Sequence, residues 1–299
     1  MDPQIGKTYQ SNVPINEIRE GFYMGETNSN GFIGKSRTKD NIFRIALFGD
    51  SYTEGFQLFE PYKFARVLEK SLNEKSEIEV EVLNFGISNV VLPEMYIRKK
   101  RLAEKFDIDL YVYVFDSYDF VMEPEGILNS VELIEKNNKL LIVPNTSKQY
   151  QFYQKMQFVI DKSSYLNFTL DAYLLIRRGK IMPILFDKFY PPKKINYRKK
   201  YSDLQFNNLS TRYLKIISEM EKDKSVFVFR ENANKKLKSK LQHYNIPIIE
   251  TRTALNTLRQ KKINPYYWKL TQTKGHLNYE GNSVFGIYLS NQLVPFIKK

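Results

Sequence analysis

Two side chains in this chain have the chemistry for acyl transfer if the fold brings them together: Ser51 and His276. A serine hydroxyl is a weak nucleophile near neutral pH and needs a base within hydrogen-bond reach. The chain has no cysteine and two histidines, so a thiol nucleophile is excluded and an imidazole base must be His243 or His276. His243 falls in a lysine-rich stretch that reads as helix, where a structural role suffices. His276 lies in Lys274-Gly275-His276-Leu277-Asn278-Tyr279-Glu280-Gly281, a loop after the last expected strand and just before the last helix. Ser51 lies in Phe48-Gly49-Asp50-Ser51-Tyr52-Thr53-Glu54-Gly55, where the first strand-like run ends. Open α/β sheets place ligands at that carboxyl edge. Gly49 permits a tight turn, Asp50 organises the turn rather than reacting, and the Ser51 N–H can help hold a developing oxyanion.

Two further segments supply candidate oxyanion donors. Asn84-Phe85-Gly86-Ile87-Ser88-Asn89 follows the second strand-like run, and Gly86 allows close backbone approach to a ligand. Phe115-Asp116-Ser117-Tyr118-Asp119-Phe120 follows the third. In a parallel sheet all four segments converge on one edge, which is a stronger signal than any of them alone.

The elements that must position these residues alternate in the manner of a parallel sheet flanked by helices. Strands are expected at Phe43–Phe48, Ile78–Phe85, Leu110–Phe115, Val226–Phe229 and Ile246–Ile249. Helices are expected at Tyr62–Glu74, Pro93–Lys105, Thr211–Lys222, Asn234–Tyr244 and from Asn278 towards Leu293. The expected fold class is α/β, with a parallel sheet of about five strands. Residues 1–40 read as an irregular arm and 41–299 as one domain. An insertion over about 123–205 follows the third strand. Within it, Tyr165–Ile176 has an amphipathic pattern that suits either a lid or membrane-surface contact or a helix packed on the core.

Composition sets the outer bounds. At 299 residues with 42% hydrophobic residues, the chain can bury one large core. No run reaches the ~18 apolar residues of a spanning helix, and the start lacks the apolar core of a secretory signal. The chain as written is therefore expected to be soluble. A cytoplasmic place fits it, and an extracytoplasmic one fits if a signal or anchor preceded Met1. The absence of cysteine and the two histidines make a metal centre or cofactor unexpected. The net charge of +13 favours anionic partners, such as an acidic glycan or an envelope surface. The runs Arg98-Lys99-Lys100-Arg101 and Lys235-Lys236-Leu237-Lys238 read as solvated helix faces, and no aromatic stacking pattern points to nucleic acid.

Taken together, these segments resemble the SGNH (GDSL) hydrolase family. Gly49-Asp50-Ser51 through Gly55 is similar to its first block and Asn84-Phe85-Gly86 to its second. Tyr118-Asp119-Phe120 is similar to the third block, and His276-Leu277-Asn278 with Gly281 to the last. The likeness spans roughly Ile42 to the C-terminus, and the approach through Asn30-Gly31-Phe32 resembles members linked to bacterial surface polysaccharides. It implies a flavodoxin-like three-layer fold, Ser51 as nucleophile and His276 as base. It also implies an oxyanion hole from Ser51, Gly86 and Tyr118, with Asp50, Asn89, Asp116, Asp119 and Asn278 in support. The implied activity is that of an esterase or deacetylase acting on an O-acyl ester, O-acetyl in the first instance, of a small molecule or surface glycan. O-acyl transfer to a sugar hydroxyl shares the same first half-reaction.

The chain departs from the family pattern twice. Tyr118 stands where the third block carries its oxyanion asparagine, and Lys274 and Thr273 stand where an acid precedes the histidine. A Ser-His dyad held by a backbone carbonyl, or a carboxylate from Asp116, Asp119 or Glu250, would make good the second departure. A glycan-binding or scaffolding relative without catalysis is the competing expectation.

Overall fold

The protein is described from a computed structural model covering residues 4–18, 20–34, 36, 42–123, 129–160, 162–163, 165–166, 168–169 and 203–297. Most of the segment 165–176 singled out above lies outside the described residues.

The chain opens with β1 (Pro14–Ile18) and β2 (Phe22–Glu26), followed by β3 (Phe43–Gly49), α1 (Ser51–Glu54), α2 (Phe64–Asn73), β4 (Val80–Asn84), α3 (Leu92–Arg101) and β5 (Leu110–Phe115). The insertion contributes β6 (Val131–Lys136), β7 (Lys139–Pro144), α4 (Lys148–Ile160) and α5 (Asp203–Asn207). There follow α6 (Thr211–Glu221), β8 (Ser225–Phe229), α7 (Lys235–Leu241), β9 (Ile248–Glu250), α8 (Arg252–Gln260), β10 (Tyr267–Trp268), β11 (Thr273–Lys274) and α9 (Tyr279–Leu293).

Five strands pair in parallel in the order β4-β3-β5-β8-β9. Counted along the chain this is the flavodoxin-like order, whose topological switch point lies between the first and third sheet strands, here β3 and β5. Alternate residues of each strand face opposite ways, and both faces are apolar, so both are covered. Phe43, Ile45, Leu47, Val112, Val114, Val226 and Val228 meet α2, α8 and α9. Ala46, Phe48, Tyr113, Phe115, Phe227 and Phe229 meet α3, α6 and α7. The second face is built on rings: Phe48 stacks on Tyr113 at 4.9 Å, and Phe115 meets Phe227 edge-on at 5.2 Å. Each such side chain contributes about 1.5–3 kcal/mol by leaving water. The result is the expected three-layer α/β architecture.

Two expectations need correcting, and the regular structure of the insertion and the helix α8 add to the sequence reading. The first forty residues are not irregular, because β1 and β2 form an antiparallel hairpin with Ile18 opposite Phe22. Phe32 and Ile33 are buried at 1% exposure each, and Ile33 bridges Asn84 at the sheet edge, so the arm completes the core. In sequence the arm shows little alternation, since it covers a surface made by other elements rather than forming a core of its own. The insertion, too, has regular structure: β6 and β7 turn through Asn137 and Asn138, both at positive φ (51° and 58°), a two-residue hairpin loop that asparagine tolerates. Arg98 and Lys99 are not a solvated face. Arg98 is buried and donates to the Phe85 and Lys7 carbonyls, while Lys99 is held between Glu104 and Asp223. Finally, α8 was not anticipated, although Ala254, Leu255 and Leu258 give it a buried face. Among the described residues, no helix is long and apolar enough to cross a membrane.

Candidate active site

Ser51 is the first residue of α1, directly after β3. Asp50 caps that helix: its side chain accepts the Tyr52 N–H at 3.0 Å, and its carbonyl accepts those of Thr53 and Glu54, also at 3.0 Å. These bonds use the rest of the first turn's donors, and the Ser51 N–H has no partner among the described hydrogen bonds. The far end of α1 is equally fixed. Glu54 is buried and accepts from the Tyr9 and Ser88 hydroxyls, with the Arg98 charge nearby, while Asn84 Nδ2 donates to the Thr53 carbonyl at 2.7 Å. The nucleophile's backbone is thus held from the arm, from β4 and from its own cap.

His276 reaches Ser51 from the other end of the chain, with Nε2 at 2.8 Å from Oγ. Its Nδ1 lies 2.8 Å from Oε2 of Glu20, and the same oxygen accepts the His276 backbone N–H at 2.8 Å. An ionised carboxylate only accepts, so Nδ1 carries the imidazole proton and Nε2 is left to accept the Ser51 hydroxyl. Glu20 sits in the turn between β1 and β2, and that turn docks on the β10–β11 loop through Thr271 Oγ1, which donates to the Glu20 carbonyl at 2.8 Å. Trp268 Nε1 donates to the His276 carbonyl at 2.9 Å, and Tyr52 covers the imidazole with ring centroids 4.5 Å apart. Gly275 makes room for the acid, since a Cβ there would lie 2.0 Å from Glu20 Oε1.

None of the acids considered from sequence reaches the imidazole. Glu250 accepts the Ala233 N–H and pairs with Lys238. Asp116 and Asp119 cap the short turn after β5. Asp119 is buried and accepts the Asp116 N–H at 2.8 Å, and burial, with the Asp50 charge second, holds its carboxyl well above the usual carboxylate range. Asp50 and Asp116 instead flank Arg230, whose Nη2 lies 3.3 Å from Asp50 and 3.7 Å from Asp116. Arg230 also lies over the Tyr52 ring at 3.8 Å. Burial works against its charge, but Asp50 and, after it, Tyr52, Asp116 and Asp119 outweigh burial and hold the guanidinium pKa above its ordinary value.

The expected oxyanion donors are also rearranged. The Gly86 N–H donates to Asn84 Oδ1 at 2.9 Å and is not free. Gly86 serves packing instead, because a Cβ would come within 2.6 Å of the Glu54 nitrogen. Tyr118 donates its N–H to Asp116 Oδ1 at 3.1 Å and turns its ring towards Phe206 at 6.0 Å, rather than replacing an asparagine beside Ser51. Asn89 is exposed at φ 58°, a backbone state asparagine reaches more readily than most residues, and its N–H has no partner among the described hydrogen bonds. Asn278 caps α9 by accepting the Gly281 N–H at 2.8 Å and ties the histidine loop to the Asn264 and Tyr267 carbonyls.

Glu20, Tyr52 and Arg230 were not singled out from sequence. Tyr52 and Arg230 directly follow a nucleophile and a strand end, positions that carry a signal. Glu20 had only the turn-forming Gly21 beside it to mark a hairpin.

Searches found no matching family model and no curated relative. Among solved structures, the chain is similar in fold to a lipase/acylhydrolase from Enterococcus faecalis, with 12% identity, 86% of this chain and 98% of that one covered, and a TM-score of 0.47. It is also similar to a protein described as lipolytic and of the G-D-S-L family from Desulfitobacterium hafniense DCB-2, with 12% identity, coverage of 83% and 98%, and a TM-score of 0.40. An acetylxylan esterase from Geobacillus stearothermophilus aligns with 10% identity, coverage of 86% and 95%, and a TM-score of 0.41. At these identities and TM-scores the likeness assigns no residue a role, and the chemistry rests on the side chains themselves.

Proposed function

We propose that the protein hydrolyses an O-acyl ester through an acyl-serine intermediate, with Ser51 as nucleophile, His276 as base and Glu20 as the acid that orients it. The observation that carries this reading is the unbroken contact chain Ser51 Oγ, His276 Nε2, His276 Nδ1, Glu20 Oε2, with 2.8 Å at both joints. Ser51 Oγ attacks the ester carbonyl while Nε2 takes its proton. Glu20 stabilises the resulting imidazolium without itself taking the proton. The tetrahedral oxyanion is held by the Ser51 N–H and by the Asn89 N–H in place of Gly86. Support for Asn89 comes from the parallel pairing of β3 with β4, which continues past the strands with the Ile87 N–H on the Gly49 carbonyl at 3.1 Å, two residues before Asn89 and Ser51 respectively. Collapse expels the alcohol, which receives the proton from Nε2. Water then attacks the acyl-serine, with the same imidazole as base, and releases the acid.

A non-catalytic binding role drew its support from the missing third-block asparagine and from the missing acid before the histidine, and Glu20 speaks against the second of these. Incubation with a fluorophosphonate and with p-nitrophenyl acetate tests the reading. Labelling of Ser51 and turnover are expected, and both should vanish in Ser51→Ala. A correctly folded wild-type protein that neither takes the label nor turns over the ester would refute it.

A further inference from the structure

A cleft of about 230 Å³ opens at the carboxyl ends of β5 and β8, among Asp116, Tyr118, Phe206, Glu231, Asn232 and Asn234. Gly49, two residues before Ser51, pairs with Val114, two residues before Asp116 on the cleft, across the gap between β3 and β5 where the sheet order reverses. Contacts trace the same path, from Asp50 next to Ser51, through Arg230, to Asp116 on the cleft.

The lining has a definite chemistry. One wall is the ring of half-buried Tyr118, backed by buried Phe206. Facing it are polar groups: the Asp116 carboxylate, 44% exposed, the exposed Asn232 amide and Asn234. Glu231 is already engaged by Arg259 and by the Tyr266 hydroxyl. A fatty acyl chain would strip water from these polar groups without replacing their hydrogen bonds. An anionic ring would meet Asp116 and Glu231, with Asp50 behind them. Among the described residues the cations beside these acids are already paired, Arg230 with Asp50 and Asp116 and Arg259 with Glu231. A neutral polyhydroxylated ring suits both halves: its C–H face lies on the aromatic wall, and its hydroxyls donate to the Asp116 carboxylate and pair with the Asn232 amide, the Asn234 Oδ1 being taken by N–H groups in the first turn of α7.

We propose that this cleft binds the alcohol part of the substrate and that this part is a neutral pyranose, so that the ester cleaved is an O-acyl group on an uncharged sugar. The proposal rests on the ester-cleaving reading above and sets the local acidic lining against the pull of the whole chain's +13 charge towards acidic glycans. Asn232 is the specificity residue to test, because its side chain is exposed and outside the core.

The experiment compares kcat/KM for a mono-O-acetylated methyl glucoside, whose other hydroxyls are free, for the same mono-acetylated ring carrying a carboxylate at C6, and for p-nitrophenyl acetate, in wild type, Asn232→Leu and Tyr118→Ala. The neutral sugar should be preferred to the charged one. Each substitution should lower the ratio of sugar ester to p-nitrophenyl acetate about tenfold, the scale of one lost polar or stacking contact. An unchanged ratio, or a preference for the charged sugar, would overturn the proposal. If wild type cleaves none of the three, the catalytic reading fails, and calorimetric titration of the acetylated glucoside into Ser51→Ala decides the cleft by itself. Binding that Asn232→Leu weakens keeps the cleft as a neutral-sugar site, and absence of binding removes it.

Discussion

A serine, an imidazole and a carboxylate come together here from positions 51, 276 and 20, and each has its geometry set by a bond other than the contacts among the three side chains. The Asp50 cap sets Ser51, the Trp268 indole sets the His276 carbonyl, and the Thr271 hydroxyl sets the Glu20 backbone. Glu20 takes two N–H donors of one residue on a single oxygen, and this fixes both the imidazole tautomer and its plane. Glu20→Gln keeps the shape and loses the charge. Its kcat/KM on p-nitrophenyl acetate should fall roughly 10³- to 10⁴-fold with little change in thermal midpoint, as in other triads that lose their acid. A loss of less than threefold would mean that His276 needs no carboxylate. Asp119 makes a separate, pH-dependent prediction. Its carboxyl is held up by burial, so between its unfolded and folded pKa values the folded state binds the extra proton, and stability falls as pH rises through that window. Asp119→Asn can still accept the Asp116 N–H and should flatten this decline, which thermal melts across the acid-to-neutral range would show.

At the scale of elements, the site depends on two short hairpins meeting. The β1–β2 turn carries the acid, the β10–β11 hairpin leads into the base, and Gly275 lets them touch. A methyl group at 275 cannot coexist with the Glu20 carboxylate where it lies, since the overlap is with its oxygen and its Cδ at 2.0 and 2.1 Å. Gly275→Ala should therefore lower kcat about as much as Glu20→Gln. The double variant should be no worse than either single one, because both remove the same interaction. Additive losses in that cycle would show that Gly275 matters for some other reason. The hairpin is itself clamped to the body, where the buried Lys63 ammonium lies 4.0 Å over the Tyr23 ring and pairs with Glu60 at 2.9 Å.

For the molecule as a whole, the arm belongs to the fold. Phe32 sits 4.8 Å from Phe85 and 5.7 Å from Phe106, inside the aromatic layer beneath β3 and β4. Phe32→Ala should cost about 3–5 kcal/mol in urea unfolding, the scale of a large ring removed from a packed core. A cost below 1 kcal/mol would mean the arm is a loose appendage. Charge also differs between scales. The chain carries +13 overall, yet the nucleophile's surroundings hold Asp50, Asp116 and Glu20 against Arg230.

The division between what was legible in sequence and what was not follows contact range. Strand and helix periodicity, Gly49 before Ser51 and the histidine loop before α9 are patterns carried by neighbours in sequence. They announced the sheet, its loaded edge and the Ser51–His276 pair, with strand ends shifted by a residue or two. Gly86 shows the limit of such patterns: glycine marks close approach, but only the fold tells whether the approaching group is a ligand or, as here, the backbone of α1. Glu20 shows it more fully. A single carboxylate in a short turn has no periodicity, spacing or neighbouring motif to distinguish it from other acids in the chain. It stands at the imidazole because β1 and β2 pair, because their turn docks on a loop some 250 positions away, with |i−j| of 256 for the Glu20–His276 contact, and because residue 275 has no side chain. Sequence by itself determined which side chains were available for chemistry and at which edge of the sheet; packing between remote segments decided which acid meets the imidazole and which backbone N–H groups are already bonded.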